Sequence, residues 1–274
     1  MGGTMLLKRF LAISWVLWCL PLGARADEKE TAGIRKENPP IAVEEIIRKF
    51  AEKEQEFQKA RENYVYRQTV NIEVLELDGR RTGERYFMIS DILFDNKGRR
   101  IEKVVRHPPS TLNRIILTPE DLHDIQNIFP FVLTTTSIPK YNLTYLGKEK
   151  VDEIDCYVFD VSPKRVEKDE RYFEGKIWVD DQDLQIVKTH GKTIYMVTKK
   201  NKDARFPRFE TLRNNVDGKY WFPIYTEADD VLDFPGNKVR VREVVKYENY
   251  KRFEAEVKIT DVQELPAEKP KPTP

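Results

Sequence analysis

Asp180, Asp181 and Asp183 lie between "YFEGKIWV" and "LQIVKT", two runs whose aromatic and β-branched residues read as strands. Carboxylates this close together suit a metal ion, an acid/base pair or a turn. A Ca²⁺ loop needs a glycine-assisted bend and a distal bidentate glutamate, and "DDQDLQ" supplies neither. An acid/base pair for hydrolysis needs one carboxyl set in an apolar pocket, whereas these stand at a strand end. Aspartate bonds readily to its own backbone in turns, so the three are expected to close a hairpin.

Other reactive types are equally scattered. His107, His123 and His190 fall in separate segments, with no H-x-x-x-H or H-E-x-x-H spacing for zinc. Ser90, Ser110, Ser137 and Ser162 lack the G-x-S-x-G setting of a nucleophile, and no glycine-rich phosphate loop occurs. Cys156, inside "CYVFDV", reads as a small buried hydrophobe. The expectation is a protein that binds rather than catalyses, with no metal and no cofactor.

The first residues bear on compartment. Lys8 and Arg9 precede the apolar core "FLAISWVLWCLPLG", and "ARA" at 24–26 places small residues before Asp27. That is the pattern of a secretory signal peptide cleaved after Ala26, and it implies export. Removing 1–26 lowers Lys+Arg from 47 to 44 against 46 Asp+Glu. A nucleic-acid binder carries a strong basic excess, so that class is excluded. Only Cys156 then remains, so no intrachain disulfide staples the fold; a sizeable core must hold it instead.

The positioning elements follow from periodicity. Residues 27–40, ending in Pro39-Pro40, read as a flexible lead-in, and 264–274, rich in Pro and Lys, as a disordered tail. Between them, 41–263 reads as a single domain. In 41–64, Val43, Ile46, Ile47, Phe50, Phe57 and Tyr64 recur at helical intervals. From Tyr64 the period becomes two: Tyr64, Tyr66, Val70, Ile72 and Val74 share one face. Asp78-Gly79, Asp217-Gly218 and Pro235-Gly236 mark turns. Short strands are expected at 101–106 and 114–118. A second helix is expected over 118–129, with Thr118 as N-cap and Pro119 at its first position. About ten strands in hairpin succession favour an antiparallel sheet with the two helices as its cover.

Two stretches carry a family likeness. "EEIIRKFAEKEQEFQKARENYVYRQTV", and "YLGKEKVDEIDCYVFDVSPKR" continued by "YFEGKIWVDDQDLQIVKTHGK", resemble the LolA/LolB-like outer-membrane lipoprotein-sorting superfamily, most specifically over 141–195. The resemblance implies a strongly curved antiparallel sheet, an incomplete β-barrel, with helices over its concave face. It also implies a cavity that holds acyl chains. The expected function is therefore a periplasmic carrier for a lipid or lipid-modified polypeptide. An envelope scaffold or stress sensor that binds an inner- or outer-membrane protein is the alternative, and in either case the chain is expected to be a monomer. The cavity-lining candidates are Tyr66, Ile72, Phe87, Phe159, Ile177 and Val241. Leu122, Ile125, Ile128, Phe129 and Phe131, with Val132 and Leu133, form the candidate lid.

Overall fold

The structure is a computed structural model and describes residues 33–95, 97–196 and 206–252. The expected leader at 1–26, the start of the lead-in and the tail at 264–274 lie outside the described residues. Helix α1 spans Val43–Arg61. Three strands follow: β1 Tyr64–Leu75, β2 Arg81–Phe94 and β3 Arg100–Arg106. Helix α2 spans Pro119–Asn127, and a 3₁₀ turn spans Ile138–Lys140. The remaining strands are β4 Tyr141–Val151, β5 Ile154–Pro163, β6 Arg171–Asp180, β7 Ile186–Tyr195, β8 Phe209–Asn215, β9 Trp221–Phe234 and β10 Asn237–Arg252.

All ten strands join one sheet in the order β3-β2-β1-β10-β9-β8-β7-β6-β5-β4, antiparallel at every pairing. The sheet does not close, so it forms an open half-barrel. Its order has a consequence for the connection between β3 and β4. Those strands are the two edges, about nine strand spacings or roughly 43 Å apart along the sheet. Residues 107–140 must carry the chain from one edge to the other, and they do so over the concave face.

The hairpin reading of the aspartates holds, since 181–183 form the turn between β6 and β7. Asp180 accepts from the Gln182 amide at 2.9 Å, and Asp181 pairs with Lys148 at 2.8 Å. Thr118 caps α2 as expected, with Asp121 completing a capping box. Two expectations need correction. Residues 114–118 form no strand, because the Glu84 carboxylate takes the amides of Asn113 and Arg114 at 2.8 and 2.9 Å. The lead-in is not flexible throughout either. Arg35 exchanges backbone hydrogen bonds with Lys148 of β4 at 2.7 and 2.9 Å, and Tyr145 donates to the Glu37 carbonyl at 2.9 Å.

One glycine pair allows a close approach between β6 and β7. Gly175 and Gly191 face each other across β6 and β7. A Cβ on Gly191 would lie 2.3 Å from the Glu174 carbonyl and 2.6 Å from the Phe173 ring. The Phe173 ring thus covers the bare backbone. Gly191→Ala is expected to destabilise the protein by about 1–3 kcal/mol through this overpacking. A urea midpoint equal to wild type would contradict the packing described.

Candidate functional site on the concave face

Inward-facing side chains follow strictly from register. Val70, Ile72 and Val74 of β1 stand opposite Val245, Glu243 and Val241 of β10. Tyr157, Phe159 and Val161 of β5 stand opposite Val179, Ile177 and Gly175 of β6. Helix α1 lays Ile46 and Phe50 into this face, where Phe50 meets Phe159 with ring centroids 5.6 Å apart. Residues 128–134, which follow α2, fill the middle and have no helix or strand of their own. Phe129 packs on Phe209 and Phe131 stacks on Phe173, each at 4.5 Å between centroids. Leu133 is fully buried beside them.

This plug is fastened by side chains rather than by a strand ladder. Thr211 donates to the Phe129 carbonyl at 2.9 Å. Arg213 donates to the Phe131 carbonyl, and its other amino group holds both oxygens of Glu54 at 3.0 and 3.1 Å. Glu54 lies on α1 and also accepts the Ile186 amide at 3.2 Å. The Arg213 guanidinium rests over the Phe57 ring at 5.1 Å. One buried ion pair therefore links α1, β7, β8 and the plug.

Acidic groups are also trapped on this face. Asp124 of α2 pairs with Arg171 of β6 at 2.7 Å. Burial outweighs that guanidinium and pushes the Asp124 carboxyl up to about 7. Glu243 sits among the valines of β10 with Oε1 unpartnered among the described residues. Burial, together with the charges of Asp121 and Asp124 on α2, pushes it up to about 8. On the same face Thr211 bonds Thr226 at 2.8 Å, and Thr226 lies 3.4 Å from the Tyr247 hydroxyl.

Most of the sequence candidates meet here. Ile72, Phe159, Ile177 and Val241 point inward and are buried. Tyr66, half-buried, stacks on Tyr250 at 5.0 Å near the sheet end. Phe87 needs correction: its neighbours Tyr86 and Met88 pair with the inward Ile72 and Val70, so Phe87 faces outward opposite Asn71. There the Arg85 guanidinium covers its ring at 4.4 Å. Of the lid residues, Ile125, Ile128, Phe129, Phe131 and Leu133 are buried in the core, and Leu122 packs against it. Val132 turns instead toward the smaller cluster of Phe57, Tyr64 and Phe222.

The cavity that the resemblance implies is not shown among the described residues. Phe50, Phe159, Ile177 and Val245 have 0% exposure, so they border neither solvent nor a void that admits water. A void of about 20 Å³ does lie at the sheet end, between Phe57, Arg61, Tyr66, Pro130, Phe222, Pro223, Tyr247 and Tyr250. It holds one water and no acyl chain. The Arg61 Nε beside it has no partner among the described residues. Sequence reasoning missed Glu54, Arg213 and Glu243. Glu243 left a trace, since it occupies an inward position in the alternation of Val241 and Val245.

No metal-binding cluster occurs among the described residues, and no described helix is long and apolar enough to cross a membrane. The sequence matches no family model and no curated protein. Solved structures similar to the chain include a DUF1329 family protein from Desulfovibrio piger. It shares 14% identity over 79% of this chain and 95% of that one, with a TM-score of 0.39. Another is the LolA superfamily protein NE2245 from Nitrosomonas europaea, with 14% identity, 78% and 95% coverage and a TM-score of 0.33. A third is MucB in complex with MucA(peri), with 10% identity, 78% and 100% coverage and a TM-score of 0.22. At these values the likeness assigns a role to no residue. The open half-barrel expected from the LolA-like stretches is the fold observed.

The trapped charges set two expectations. Truncating one partner of a buried ion pair costs about 3–5 kcal/mol, whereas replacing both by apolar residues is often neutral. Arg213→Met should lower the urea midpoint sharply, and Glu54→Leu with Arg213→Met should restore most of it. A double variant as unstable as the single one contradicts that account. Folded Glu243 keeps its proton to about pH 8, while an ordinary glutamate releases it near 4.5. The folded state thus binds more protons in that window. The stabilisation is complete below about pH 4.5, declines as pH rises and is gone above about 8. Glu243→Gln should flatten this fall and raise the unfolding free energy at pH 8 by an amount on the order of a few kcal/mol. Wild-type stability that stays constant from about pH 5 to 8 rules the assignment out.

Proposed function

We propose that the protein is a non-catalytic binding protein of the periplasm that takes up an acyl chain, free or attached to a polypeptide. The guest enters by taking the place of residues 128–133, so the structure corresponds to the closed, self-filled form. The observation that supports this reading is the nature of the occupant. The plug is an apolar, irregular segment whose aromatic rings lie against the concave sheet, fastened there by the side chains of Thr211 and Arg213.

The energies are commensurate. Losing two buried phenylalanine rings costs about 3–5 kcal/mol each. Burying a chain of about ten methylenes returns about 0.8 kcal/mol for each. The exchange is close to balanced, which suits reversible uptake and release. An anionic headgroup left at the sheet end would meet Arg61 at the mouth of the small void.

Phe129→Ala with Phe131→Ala vacates the space that the guest needs. This variant should melt at a lower temperature than wild type. It should also bind a fluorescent fatty-acid probe about tenfold more tightly, because less of the plug must be displaced. Phe131→Leu serves as the milder variant should the double one not fold, with the same direction expected. If no folded form binds the probe, or the variants bind no better than wild type, the reading fails.

A further inference from the structure

The two edges of the sheet are treated differently. Edge β4 is covered by the backbone of Arg35. The first half of β2 is covered by residues that follow β3. His107 bonds the Phe87 carbonyl at 3.0 Å, and Thr111 donates its amide to Arg85 at 3.0 Å. Among the described residues no strand pairs with the outer side of β3, which leaves an edge of seven residues with backbone donors and acceptors facing outward. Along it, Ile101, Val104 and Val105 are 47%, 53% and 50% exposed. An uncovered edge with exposed apolar residues is a template for another strand.

Charge selects the partner. Residues 97–107 hold five Lys/Arg against one acid, Glu102. Arg100 is taken by Glu102 and Gln68, whereas Lys103 and Arg106 form no ion pair among the described residues. A second copy pairing antiparallel about Lys103 would set Lys103 against Lys103 and Arg100 against Arg106. Like charges directly opposed are destabilising, so self-pairing is disfavoured. An acidic strand meets the opposite situation. We propose that β3 is a docking edge for an extended acidic segment of another protein, which adds as an eleventh strand. The segment places acidic residues opposite Arg100, Lys103 and Arg106 and apolar ones opposite Ile101, Val104 and Val105. This inference is independent of the plug, because β3 lies at the rim and none of these residues touches 128–134 in the contacts above.

The test uses the full chain and a fluorescent, end-blocked peptide, Glu-Val-Val-Glu-Lys-Val-Glu, the antiparallel complement of β3. Its anisotropy should rise on titration with wild type, and the affinity should weaken with added salt. Lys103→Glu with Arg106→Glu should bind about tenfold more weakly, about 1.4 kcal/mol, because two exposed ion pairs are lost. The same variant should gain affinity for the charge-reversed peptide Lys-Val-Val-Lys-Glu-Val-Lys. Both side chains are exposed, but Lys103→Glu sets a carboxylate opposite Asp91 of β2, so its melting temperature should fall slightly while the fold is kept. Failure of wild type to bind, or equal binding by the charge-reversed variant, overturns the proposal. So does binding to phosphatidylglycerol vesicles in place of the peptide, which would make the strip a lipid-surface contact.

Discussion

The chain must travel from one edge of its sheet to the other, and residues 107–140 make that passage across the hollow. This constraint organises the rest of the structure. With β3 and β4 at opposite ends of ten strands, the connection cannot be a tight turn. An apolar connection laid over an apolar concave face buries both surfaces together. α2 and residues 128–134 are therefore core-forming elements in their own right. The half-barrel is filled by its own chain before any guest is considered.

Filling the hollow with an irregular segment raises a second requirement, because backbone carbonyls carried inside must find donors. Thr211 and Arg213 supply them for Phe129 and Phe131. A buried arginine then requires a counter-charge, and Glu54 of α1 provides it at 3.0 Å. The ion pair is thus a consequence of the plug, and it couples helix, sheet and plug in one polar junction. Where the junction is not continued, acidic groups remain under-satisfied. Glu243 and Asp124 mark the place where α2 meets the sheet, and burial pushes both carboxyls up there.

Much of this architecture was legible in the sequence. The alternation of Tyr66, Val70, Ile72 and Val74 gave the inward face of β1, and Thr118-Pro119 gave the start of α2. Phe159 and Ile177 were readable as cavity-lining candidates, and the register sets them opposite each other. Phe87 was not, because its strand carries apolar residues on both faces and only the pairing with β1 decides which is inward. The strand expected at 114–118 did not form, and at its start a distant carboxylate, Glu84, takes the amides of Asn113 and Arg114. Whether the hollow was open lay beyond any periodicity, since it depends on where a connection of irregular backbone comes to rest. Arg213 was hidden for the same reason: in "ETLRNN" nothing distinguishes an inward arginine from a solvated one until the plug's carbonyl is in place.

The central claim is that a guest and residues 128–134 compete for one space. Hydrogen exchange of the amides in that segment, measured with and without a saturating medium-chain fatty acid, tests it most directly. The account predicts that the 128–134 amides exchange faster once the fatty acid is bound, while those of β5 and β6 keep their protection. Equal protection of the segment in both conditions, with the fatty acid demonstrably bound, would contradict it.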